Sequence, residues 1–221
     1  MNEPKQPLAE RVGARIERAR RMRGHTLRSL AELLGGEYSH TTLQKYEKGV
    51  ICPDIRTIGL IARALNLRTD YFMQENRFKL EEVEYRKLSK LGKKAQKQIE
   101  EEAFDFFERY LEIENILDVP LEELPHFDLS SKTMDQLGEA IEAAAEELRE
   151  KWDLGLNPIP NVHTMLEEHG VKVKFMNDWE GFDGFSALAR TDDREIATIA
   201  LSRKAVKDTT RLRFTALHEL A

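Results

Sequence analysis

The chain has 221 residues, 41% of them hydrophobic and 33% charged, and a formal net charge of −6. That length holds one or two domains, and that balance fits a folded, helix-leaning protein rather than a disordered one. No apolar run approaches the ~20 residues a membrane-crossing helix needs. The opening "MNEPKQPLAE" lacks the apolar stretch of a signal peptide, and a lone cysteine, Cys52, excludes an intrachain disulfide framework. The expected compartment is therefore the cytoplasm. The net charge hides an asymmetry. Residues 1–75 carry 13 basic and 9 acidic side chains, a net +4; the rest carry 21 and 31, a net −10.

Residues 1–8 read as a flexible tail. Leu8, Val12, Ile16 and Ala19 then form one helical stripe within "LAERVGARIERARRMR", stopped at Gly24. Thr26 can cap "LRSLAELL", which ends at Gly35-Gly36. Ser39 can cap "HTTLQKYEK", closed by Gly49, and Asp54 can cap "IRTIGLIARALN". "RTDYFMQE" reads as a short fifth helix. Residues 9–75 are thus expected to form a compact five-helix domain.

Residues 76–129 read as a helical connector. One long helix or two are expected over 79–118, with Ile99, Ala103, Phe106, Tyr110, Ile113 and Leu117 as a core or dimer stripe. A Pro-punctuated loop follows. Ser130 or Ser131 is expected to cap a helix reaching Trp152, with Leu137, Ile141, Ala144 and Leu148 on its inner face. A short helix, "VHTMLEEH", stops at Gly170. The period then changes from helical to alternating in "VKVKF", and "GFSALAR" and "EIATIALS" read as two more strands about the turn "TDDR". Asp208 or Thr209 is expected to cap a last helix. Residues 130–221 are therefore an α+β region with a small sheet.

A helix-turn-helix lays its second helix in the major groove. That helix needs short polar residues at its exposed start, apolar residues inside, and cations near phosphates. "SHTTLQKYEKG" fits: Leu43 and Tyr46 face inward, and His40, Thr41, Thr42, Gln44 and Lys45 outward. Lys45, Lys48 and the Arg20, Arg21 and Arg23 cluster can meet phosphates. The run from Thr26 to Phe72 resembles the Cro/C1-type (XRE) helix-turn-helix family over residues 9–73. The resemblance rests on Leu30-Ala31, Leu34-Gly35, Leu43, Tyr46 to Gly49, Pro53, Ile58, Ile61-Ala62 and Ala64-Leu65. It departs from the family at Leu27, where a polar Gln is common, and in a turn one residue longer through Gly35-Gly36-Glu37. It implies a DNA-binding domain acting as a dimer on a two-fold operator. The expected DNA-contacting residues are Arg23, Thr26, Arg28, Ser39, His40, Thr41, Thr42, Gln44, Lys45 and Lys48.

The chain ends on "RFTALHELA". Two histidines at i and i+4 on a helix can share a Zn²⁺, with the intervening Glu as base toward its bound water. His218 and Glu219 supply half of that arrangement. Together with "FDGFSALAR", "EIATIALSR" and "ELREKWDLGLNPIPNVHTMLEEHGVKV", this segment resembles the ImmA/IrrE family of zinc metallopeptidases over residues 130–221. By that resemblance His218 is a metal ligand and Glu219 the catalytic base, in a longer form only. The second histidine is missing from these residues, so no cofactor and no peptidase activity are expected of them; Zn²⁺ belongs to the longer form. His126, His163, His169 and Cys52 read as surface or structural residues, and Asp183-Gly184 as a turn into a strand. The leading expectation is a sequence-specific, homodimeric DNA-binding regulator. The alternatives are a zinc endopeptidase cleaving a repressor or antitoxin-like partner, and an antitoxin-type regulator holding a partner protein through residues 76–221.

Overall fold

Helix α1, Leu8–Met22, turns Val12, Ile16 and Ala19 inward, and all three are fully buried. The computed structural model describes residues 7–74, 79–85 (backbone alone), 91–120, 124–190, 195–203 and 209–221. Of the tail expected at 1–8, residues 1–6 lie outside the described residues, as do the turn at 191–194 and the Asp208 cap, while Leu8 is corrected to the first residue of α1. Helices α2 (Leu27–Leu33), α3 (His40–Glu47) and α4 (Ile55–Ala64) follow, each started by the cap its sequence offers: Thr26, Ser39 and Asp54. The fifth element is a 3-10 turn, Thr69–Met73, rather than an α-helix. It sends Tyr71 and Phe72 into the core shared by Leu30, Leu43, Ile58, Ile61 and Leu65.

The one or two helices expected over 79–118 are corrected at the start of that span. Lys79–Tyr85 is strand β1, and the helix, α5, spans Lys93–Ile116. Its buried stripe is also corrected, to Ile99, Ala103, Phe104 and Phe107; Ile113 and Leu117 are exposed. The chain falls into two compact units, one drawn from 1–79 and 87–110, the other from 80–86 and 111–221. Most of α5, Lys93 to Tyr110, thus falls in the same unit as the helical domain.

In the second unit, α6 spans Met134–Lys151 and starts at Thr133, where the backbone N–H donates to Gln136 Oε1 at 3.3 Å. The expected caps at Ser130 and Ser131 are displaced, because Ser130 instead donates to Asp128. No residue within α6 is buried, so its expected inner face is covered only toward the end, at Leu148 and the following Trp152. Helix α7 is Val162–Glu168. Strands β2 (Lys172–Met176), β3 (Gly184–Arg190) and β4 (Glu195–Ser202) join β1 in a four-stranded sheet of order β1-β3-β4-β2. β2 runs parallel to β4 and β3 antiparallel to it, with Phe185 opposite Ala200. β4 is central, and its last five residues are all buried, as a strand covered on both faces requires. Helix α8, Thr209–Leu220, closes the unit.

Candidate nucleic-acid interface

The turn between α2 and α3 is set by local chemistry. Thr26 Oγ1 accepts from Ser29 N at 3.1 Å, and Ser29 Oγ accepts from Thr26 N at 2.9 Å, a reciprocal cap on α2. At the far end Gly35 and Gly36 both take positive φ, 70° and 75°, which lets Gly36 N bond back to Ala31 O. Ser39 Oγ then accepts from Thr42 N at 3.1 Å and starts α3.

Three contacts fix the roll of α3. Leu43 and Tyr46 are buried, and Tyr46 lies against Tyr38, whose hydroxyl bonds Thr57 at 2.9 Å. Gly13 lets α1 cross α3 closely, since a Cβ there would stand 2.3 Å from Tyr46 O. Arg20 makes a two-pronged bond to Glu47, at 2.6 and 2.7 Å, and donates to His25 O. Burial works against the Arg20 charge, but the bonds and charge of Glu47 outweigh it, so its pKa is raised.

With that roll, His40, Thr41, Gln44, Lys45 and Lys48 are all exposed on the side of α3 away from the core. The other expected contacts divide. Thr26 and Ser39 are exposed but engaged as caps, and half-buried Thr42 bonds Ser39 at 2.9 Å. Arg28 is exposed at the start of α2. Arg23 donates to Leu65 O and Asn66 O, so its guanidinium closes the end of α4.

The basic cluster expected to meet phosphates is corrected in part. Arg20 is buried against Glu47, and Arg21 pairs with Glu17 at 2.5 Å. Arg15 is 1% exposed and forms a two-pronged pair with Glu108 of α5. Arg18 pairs with Glu101 at 3.3 Å and lies 3.6 Å over the Phe104 ring. Half of the domain's arginines therefore hold the fold together. Sequence reasoning missed the Arg20–Glu47 clamp because its partners lie 27 residues apart.

At the other end of the chain, α8 separates the two residues of interest. His218 is exposed and stacks beside Phe214, with centroids 6.3 Å apart. Glu219 is buried and accepts from Ser186 Oγ at 3.3 Å. No group of three His, Cys, Asp or Glu among the described residues could hold a metal. His163 and His169 pack on Phe175 and Trp152, the latter in parallel at 4.4 Å, so both support the unit's core. Asp183 pairs with Arg211 at 2.6 Å, and Cys52 is exposed.

No described helix is long and apolar enough to cross a membrane. Comparison with curated proteins and with solved structures found no match. Residues 16–72 match the family model described as Helix-turn-helix, inside the segment carrying the Cro/C1-type resemblance. The match ends within the 3-10 turn that completes the core, and it supports reading this region as the DNA-binding part of a regulator.

Proposed function

We propose that the chain is a sequence-specific DNA-binding regulator that reads bases with the outer face of α3. The observation that carries this reading is the partition of α3: Leu43 and Tyr46 are buried, while His40, Thr41, Gln44 and Lys45 stand exposed at its start and middle. Gln can bond the paired donor and acceptor of adenine, and Lys the acceptors of guanine, in a major groove that admits one helix. Exposed Lys48, which follows the last residue of α3, is assigned to a phosphate. Residues 130–221 are assigned to sensing or tethering, on the strength of their resemblance to the metallopeptidase family and of the helix-helix-sheet-helix order.

The test is binding to an operator selected from random DNA. Gln44→Ala and Lys45→Ala should each lose about 1–3 kcal/mol of discrimination against mismatched sites. Lys48→Ala should weaken all sequences alike and reduce the salt slope by about 1. Variants that all bind the operator like the parent would defeat the reading.

A further inference from the structure

Two surfaces in the described residues stand uncovered by their own unit. The first lies along α4, where Ile55, Gly59, Leu60 and Leu67 floor an open groove of about 720 Å³ rimmed by Arg56, Arg63 and Arg68, the last paired with Asp70 at 3.0 Å. Ile55 is 65% exposed in it. Gly59 sits in mid-helix, where glycine weakens a helix relative to alanine. Neither packing nor backbone conformation asks for glycine there: a Cβ would meet nothing within 4 Å, and no positive φ is involved. What a missing side chain does provide is close approach by another backbone.

The second surface is the first half of α6. Met134 is 84% and Ile141 49% exposed, and with Leu137 they stand at i, i+3 and i+7 on one face, the spacing of anchors in helix-in-groove docking. The helix carries six acidic and two basic residues. Pairing α6 with another α6 would therefore set like charges together, whereas an arginine-rimmed groove complements them. The same complementarity holds at larger scale. The unit bearing the groove has 21 basic and 14 acidic residues, a net +7, and the unit bearing α6 the remaining 13 and 26, a net −13.

We propose that α6 of a second copy docks its Met134, Leu137 and Ile141 face into the arginine-rimmed groove of α4, so that the chain self-associates without DNA. Two copies that exchange α6 helices make the contact twice and close on each other.

Sedimentation velocity of the full chain over a concentration series tests this. The expected result is reversible self-association that weakens as salt is raised. Gly59→Gln fills the groove and Ile141→Asp charges the stripe, and each should weaken association about tenfold or more. Neither position is packed in its own unit, and glutamine is the better helix former, so the thermal midpoint of Gly59→Gln should hold or rise. Mixing the two variants should restore association in part, because one keeps an intact α6 and the other an intact groove, which together make one of the two contacts. A parent chain that stays monomeric at every concentration, an association indifferent to both variants, or a mixture no better than either variant alone would overturn the proposal.

Discussion

Gly13 and Glu47 decide what α3 can present, although neither is placed to touch DNA. A methyl group at Gly13 would collide with Tyr46 O, a backbone atom that cannot swing away. Gly13→Ala should therefore cost about 1–3 kcal/mol or more of stability, visible as a lower urea midpoint. Gly49 is constrained twice, by φ of 66° and by Glu10 Cα, which its Cβ would meet at 2.8 Å. Glu47→Ala would leave Arg20 buried without its carboxylate, a change in the range of about 3–5 kcal/mol for a buried ion pair broken on one side. A single-residue pH response is also built in. Burial and the neighbouring Glu101 hold the Glu100 carboxyl up to about 7. Lys97 lies 2.5 Å from it but is more than half exposed, so water screens that charge. The folded state then holds this proton more tightly than the unfolded one, and stability should fall as pH rises from the ordinary carboxylate value toward 7. Denaturation at about pH 5 and about pH 8 should show that fall, and Glu100→Gln should flatten it. Identical pH profiles for parent and variant would refute the assignment to Glu100.

Between elements, the buried Arg15–Glu108 pair binds α5 to α1. Glu108→Gln should destabilise the helical unit by about 3–5 kcal/mol, because Arg15, 1% exposed, would lose its countercharge. An unchanged unfolding midpoint would mean that α5 does not belong to that unit. This attachment was not legible in the sequence. Arg15 and Glu108 are 93 residues apart, and each alone resembles a solvated charge on an amphipathic helix. β1 was hidden for a related reason. "KLEEVEY" is rich in helix-favouring Lys and Glu, and it becomes a strand by pairing at the sheet edge beside β3, about a hundred residues on. The caps at Thr26, Ser39 and Asp54 were legible because each acts within three residues, and β3 and β4 because dense apolar and β-branched runs mark strands wherever they pack. The outer face of α3 could be read from its period. The engagement of Arg20 and Arg23 could not, because cations that meet phosphates and cations that cap or pair look alike until the fold supplies Glu47 and Leu65 O.

For the whole molecule, the −6 charge and pI of about 5.7 describe neither unit. Basic and acidic residues are segregated between the units, and within the basic unit Glu17, Glu47, Glu101 and Glu108 pair with Arg21, Arg20, Arg18 and Arg15. On the proposed reading, specificity rests on the short row from His40 to Lys48. The most direct measurement of that claim is selection of binding sites from random DNA by two full-length proteins, the parent and a variant with His40, Thr41, Gln44 and Lys45 all changed to alanine. These four side chains are exposed, so the variant should unfold at the parent's midpoint. The parent should enrich a defined motif and the variant none; enrichment of the same motif by both proteins, or of no motif by the parent, would contradict DNA reading by α3.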